Sequence, residues 1–196
     1  MNTKTLMARA SGKEKASLVL KNARILNVFT KEIENADIAL EDDIIIGTGS
    51  YSGEREVNLE GAYVAPGFID GHVHIESSMV TPENFASLVM PHGTTTVIAD
   101  PHEIANVAGE KGIRYMLKCG EKTPLDILMM IPSSVPATTF ETSGATLDSR
   151  AVEKLKSLKG IFGLGEVMNN PGVINGDRDI HEKLRVMKDR PIDGHA

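Results

Sequence analysis

A single cysteine, Cys119, stands among the 196 residues. It excludes an internal disulfide and any cluster of thiolate metal ligands, and such sparing use suits a reducing cytoplasm. No stretch approaches the roughly 18 consecutive apolar residues of a membrane-spanning helix. The first 16 residues carry Lys4, Arg9, Lys13 and Lys15 without the apolar centre of a secretory leader, so no signal peptide is read. Positive charge is in deficit, with 21 Lys and Arg against 27 Asp and Glu and a net charge of −6. That balance disfavours partnership with nucleic acid or a membrane surface. No Gly-x-Gly-x-x-Gly follows the first strand of the region with alternating strands and helices, which argues against a dinucleotide fold. What remains is ordinary for a globular protein of one or two domains: 41% hydrophobic and 24% charged residues.

The texture changes twice along the chain. Residues 1–16 read as a short helical segment. From about 17 to 62 come short stretches of β-formers, such as Arg24-Ile25-Leu26-Asn27-Val28-Phe29 and Asp37-Ile38-Ala39-Leu40, separated by Asn, Asp and Gly turns. They predict a small β-domain, a β-sandwich. Residues 63–196 alternate strand and helix with a period of about 30 residues, the mark of βαβ units and a parallel sheet. Strands are expected over Ala62–Ile69, Thr94–Ala99, Asp126–Ile131, Ile161–Met168 and Pro191–His195. Helices are expected from Thr81-Pro82 to about Met90, from Asp100 to about Lys118, over Leu147–Leu158 and over Asp179–Met187, and 132–146 reads as a long loop. Four units and a fifth strand make half of an eight-fold (β/α) barrel.

The barrel reading is favoured because ligand-type residues recur where successive strands end, and those ends share one mouth. The first strand runs into His72-Val73-His74, with Glu76 beyond; the second ends in Asp100, followed by His102 and Glu103. The fourth ends in Gly165-Glu166 and the fifth in Gly194-His195. Two histidines two apart on a strand project to one face and can reach one metal ion. Glu166 could bridge two ions held by histidines of the first and fifth strands, or make a structural salt bridge. His195 could be a ligand or an exposed side chain. Asp100-Pro101-His102-Glu103 also fits a capping box, with Asp as N-cap, Pro at the first position and Glu at the third. Imidazole and carboxylate donors suit zinc, manganese or iron alike. His74-Ile75-Glu76 matches the His-x-Glu of the cytidine-type zinc deaminases, but their Pro-Cys-x-x-Cys has no counterpart in a chain with one cysteine.

The stretch Pro66-Gly67-Phe68-Ile69-Asp70-Gly71-His72-Val73-His74, following a small β-domain, resembles the amidohydrolase superfamily of metal-dependent hydrolases. Four further stretches are similar to the bacterial and archaeal adenine deaminases within it. These are His74-Ile75-Glu76-Ser77-Ser78-Met79, the run from Gly93 to Val107 with Asp100-Pro101-His102-Glu103, Pro132-Ser133-Ser134-Val135-Pro136, and Gly165–Asn169 with the closing Asp193-Gly194-His195-Ala196. The resemblance implies a TIM-like (β/α)8 barrel and hydrolysis of adenine to hypoxanthine and ammonia, a step of purine salvage. It implies a binuclear divalent centre, manganese or iron rather than zinc, whose bound hydroxide attacks C6 of the base. His72 and His74 would hold one ion, His195 the other, and Glu166 would bridge. Glu76, Asp100, His102 and Glu103 would lie around the metals or the substrate. The resemblance also implies a longer, oligomeric enzyme, whose proton-transfer aspartate lies past the end of this chain. The chain alone is therefore expected to have little or no activity. Two other readings stay open: an amidohydrolase for another cyclic amide or amidine, and a dead fragment that needs a partner half.

Overall fold

The computed structural model describes residues 2–138 and 140–195. Met1, Thr139 and Ala196, which fall in the expected N-terminal helical segment, the long loop and the closing stretch, lie outside the described residues. The chain divides into two compact units, 1–66 and 67–196.

In the first unit α1 (Thr3–Ala10) precedes β1 (Ala16–Asn27), β2 (Glu32–Glu41), β3 (Ile44–Gly49), β4 (Gly53–Asn58) and the short β5 (Tyr63–Val64). They form one mixed sheet in the order β3-β2-β1-β4, with β5 continuing beside β1. Neighbours β1–β2 and β2–β3 are antiparallel, whereas β4 and β5 run parallel to β1. A sandwich needs a second sheet facing the first. Among the described residues of this unit there is one sheet, because every strand pairs through β1 or β2 and extends the same ladder.

Helix α1 is tied to that sheet by Arg9, whose guanidinium donates to Glu41 Oε2 at 2.6 Å, Ser17 Oγ at 2.9 Å and Glu54 Oε1 at 3.0 Å. The Ser17 N–H adds a bond to Glu41 at 3.1 Å. The hydrogen bonds from Arg9 and then Ser17 hold the Glu41 carboxyl down at about 2, against 4.5 when free. A carboxyl whose folded pKa is depressed stabilises the fold fully above its unfolded pKa, and the contribution disappears as the pH falls through the folded value. We expect the melting temperature to fall between pH 4.5 and pH 2, and to fall less steeply in Glu41→Gln. Equal slopes for the two proteins across that window, followed by circular dichroism, would show that the pair has no such role.

The second unit is a five-stranded parallel sheet in sequential order: β6 (Phe68–Val73), β7 (Thr94–Ala99), β8 (Asp126–Pro132), β9 (Ile161–Val167) and β10 (Ile192–Gly194). β-branched Thr94-Thr95-Thr96-Val97-Ile98 suits a strand. Helices α2 (Pro82–Val89), α3 (His102–Ala108), α4 (Glu110–Gly120), α5 (Ser149–Lys156), α6 (Asn170–Asn175) and α7 (Arg178–Val186) fill the connections. Thr81 caps α2 with Pro82 in its first turn, and Asp148 caps α5 by accepting the Ala151 N–H at 2.8 Å. Ile113 and Met116 of α4 and Val152 and Leu155 of α5 repeat at helical spacing and pack with Val97, Met129, Ile131 and Leu164 of the strands in one core.

Three expectations change. The strand expected over 62–69 is two, β5 in the first unit and β6 in the second, with Ala65-Pro66-Gly67 between them. The helix expected from Asp100 to Lys118 breaks at Gly109, whose φ of +58° only glycine adopts without strain. A short helix, α6, stands in the segment after β9 that had no predicted element. Strands β6 and β10 form the two edges of the sheet. Phe68 and Ile69 on β6 are 63% and 68% exposed, which is unusual for the apolar part of a barrel strand.

Candidate metal centre

The expected donors meet at the C-terminal ends of the strands, two of them at points where the ladders slip. Between Asp70 and Val73 β6 holds one residue more than its partner β7, and β9 holds one more between Leu164 and Val167 than β10. Such bulges re-aim a side chain out of the regular pleat. His72 and Glu166 sit at these two points. Glu166 has a φ of +35°, a strained value for a residue with a side chain. Its backbone is held by Ser133, whose Oγ donates to the Glu166 carbonyl at 2.7 Å.

His72 Nε2 and His74 Nε2 lie 3.2 Å apart, and both face Glu166 Oε1, at 3.3 and 3.4 Å. The other nitrogen of each ring has an acceptor. His74 Nδ1 is 2.7 Å from the Asp100 carbonyl, and His72 Nδ1 is 3.1 Å from Asp193 Oδ2. A neutral imidazole has one N–H, and these acceptors place it on Nδ1. Two lone pairs and a carboxylate oxygen then converge with no proton between them. Like charge density gathered in this way is stabilised by a positive charge placed among it, which a metal ion can supply. The three atoms lie 3.2–3.4 Å from one another, close enough for all of them to reach one ion. The residues present therefore fit a divalent metal.

His195 Nε2 also reaches Glu166 Oε1, at 3.4 Å, from an exposed position after β10. Asp100 is fully buried, and its Oδ1 takes the His102 Nδ1 hydrogen bond at 2.7 Å. The capping box expected there is not made, since α3 has no side-chain cap and begins after Pro101. Glu76 takes over that task by accepting the Ile104 N–H at 3.1 Å, which leaves Asp100 free for His102. Glu103 is half exposed and lies 3.2 Å from His74 Nδ1, with its other oxygen on Ser77. Seven of the eight expected residues are thus joined in one cluster, and Glu76 stands beside it on the Ile104 N–H. Burial alone lowers the His74 pKa, but Glu103, the Asp100 carbonyl and Glu166 outweigh it and hold the value above the ordinary one. Burial pushes the Glu76 carboxyl up.

Two contributors lie outside the expected set. Asp193 orients His72, and its signal was its position two before His195 at the end of β10. Ser133 steadies Glu166 from β8, a role with no local signature in the sequence.

Parallel strands that bring imidazole and carboxylate donors to one mouth define a metal-dependent hydrolase type of half-barrel. The sequence profile of the amidohydrolase family matches residues 63–196, and the chain belongs to that family. It is 53% identical over 195 residues to adenine deaminase 2 of Desulfotalea psychrophila and 50% identical over 196 residues to adenine deaminase of Petrotoga mobilis. These matches cover 98% and 100% of this chain but 34% of each relative, so the chain spans about a third of their length. Among solved structures, an N-acyl-D-glutamate deacylase from Bordetella bronchiseptica, complexed with zinc and a phosphonate inhibitor, aligns with a TM-score of 0.58 at 15% identity. It covers 93% of this chain and 45% of that one, and supports the fold. Among the described residues no helix is long and apolar enough to cross a membrane.

Proposed function

We propose that the chain is the N-terminal third of an adenine deaminase, which adds water at C6 of adenine, forming a C6–O bond and breaking the C6–N bond, to give hypoxanthine and ammonia. The observation that carries this reading is identity of 50% or more along almost the whole chain to proteins of that name, joined to the convergent donors of the candidate centre. His72, His74, Glu166 and His195 would hold the metals, with Glu166 shared. A divalent cation there supplies Lewis acidity and makes water a nucleophile near neutral pH. The chain's own residues prepare the site: Asp193 and the Asp100 carbonyl fix the imidazole tautomers, and Ser133 holds the strained Glu166 backbone in place. The donor types suit zinc, manganese or iron alike, and it is the resemblance to the adenine deaminases that favours manganese or iron, in a cytoplasmic enzyme of purine salvage. The domain reading is a composite β-domain over 17–62 that takes further strands from the rest of the protein to become a sandwich, followed by the first half of the barrel. Exposed Phe68 and Ile69 fit strands that would continue the sheet beside β6, and a completed enzyme of this kind would be oligomeric.

The test joins residues 1–196 to the remaining two thirds of the Petrotoga mobilis protein and measures ammonia release with Mn2+. The chimera is expected to deaminate adenine in preference to other cyclic amides and amidines, and the 196-residue chain alone to release none above background. A chimera with a full complement of metal that prefers another cyclic amide would reject adenine as the substrate. Adenine turnover by the chain alone, at a rate comparable to the chimera, would overturn the division of the active site.

A further inference from the structure

Glu166 has two carboxylate oxygens, and only Oε1 faces His72, His74 and His195. Oε2 faces inward, 3.3 Å from His102 Nδ1, and that nitrogen is also 2.7 Å from Asp100 Oδ1. Asp100, His102 and Glu166 each offer a donor atom within 4.8 Å of the others, as a set separate from His72, His74 and Glu166. Asp100 is 0% exposed, His102 8%, and the Glu166 side chain 12%.

A structural hydrogen-bond cluster does not account for this arrangement. One proton on His102 Nδ1 cannot serve two carboxylates, while Asp100 Oδ2 and His102 Nε2 are buried with no partner at all. Buried polar atoms are nearly always satisfied, and an unpartnered buried carboxylate is costly. Among the described residues no lysine or arginine lies within ion-pair distance of Asp100 or Glu166; their only cationic neighbours are histidines. The Asp100 carboxylate is itself admitted by a glycine. Gly165 precedes Glu166, and a Cβ at that position would run into Asp100 Oδ2. Two carboxylates that converge on one imidazole, one of them fully buried and neither beside a lysine or arginine, point to a positive ion.

We propose that Asp100, His102 and Glu166 form a second divalent-cation pocket, deeper than the one between His72, His74 and Glu166, with Glu166 as the shared carboxylate. Two carboxylates and one imidazole suit a hard or borderline ion such as Mn2+ or Fe2+. This goes beyond the assignment of His72, His74 and His195 and rests on it only through Glu166.

The test counts Mn2+ on the metal-free 196-residue chain by equilibrium dialysis against MnCl2, with the free ion read from its paramagnetic resonance signal. His72→Asn/His74→Asn/His195→Asn is expected to retain one equivalent, and adding Asp100→Asn to remove it. Asp100→Asn alone is expected to lose one equivalent and keep that of the outer histidines. Gly165→Ala removes no donor and guards against a failure of the Asp100 variants to fold; it is expected to weaken the inner equivalent about tenfold to a hundredfold. If the triple variant binds no Mn2+ and Asp100→Asn and Gly165→Ala bind as the parent does, the inner pocket is refuted and the outer assignment stands. If the triple variant binds as the parent does, the outer assignment fails and the inner pocket stands.

Discussion

Glu166→Gln is expected to reduce kcat/KM for adenine in the completed chimera by roughly a thousandfold or more, with loss of bound Mn2+. Its Oε1 is the point that His72, His74 and His195 all face, at 3.3–3.4 Å, and its Oε2 is the point that His102 faces. An amide keeps the shape, but it carries no charge and replaces one oxygen with a two-proton donor. Whichever way the amide is turned, its N–H groups point either at the lone pairs of the outer histidines or at His102. An amide proton in the first position occupies the space of the ion. The metal's contribution to such chemistry amounts to several kcal/mol, and each 1.4 kcal/mol is tenfold in rate. Glu166→Asp, which keeps the charge and shortens the reach, is expected to fall between the two. Metal content by mass spectrometry together with steady-state kinetics decides the matter. A Gln variant with its full metal complement and activity within tenfold of the parent would remove Glu166 from the centre.

Leu164→Ala is expected to lower the stability of the second unit by about 2–5 kcal/mol, the range for removing a large buried aliphatic side chain. Leu164 is fully buried on β9, opposite Ile131 of β8 in the ladder, and belongs to the core that joins sheet and helices. The loss has two parts, the transfer free energy of the deleted atoms and the cavity they leave. Here the cavity closes poorly, because the ladder to Ile131 fixes the backbone of β9. Since folded domains are stable by only about 5–15 kcal/mol, such a loss is a large fraction of the total. Urea unfolding should show a lower midpoint at an unchanged slope, whereas Ile174→Ala, at a position 81% exposed, should match the parent. A shift of less than about 0.5 kcal/mol for Leu164→Ala would place the core elsewhere.

Alternating strands and helices were legible because each obeys a short-range rule: β-branched runs for β7, and a capping threonine and proline at the start of α2. The failures are also local in origin. At Asp100-Pro101-His102-Glu103 the letters satisfy a capping box, and only a carboxylate arriving from Glu76, 28 residues upstream, shows why the box is not used. At Ala62–Ile69 one apolar run crosses the junction of two units, and composition does not change there.

By itself the sequence determined the parallel βαβ character of residues 63–196 and the two-residue spacing that puts His72 and His74 on one face. It also singled out the remaining candidate donors, since polar residues ending successive strands of one sheet come near each other. Only the tertiary structure showed which of those side chains face one another. The bulges that turn His72 and Glu166, the Ser133 hydroxyl that holds Glu166 and the Asp193 carboxylate that orients His72 are all contacts between strands. So is the approach of Asp100 to Gly165. Such contacts depend on register and on the direction of a side chain at a slipped ladder, and no spacing along one strand encodes them.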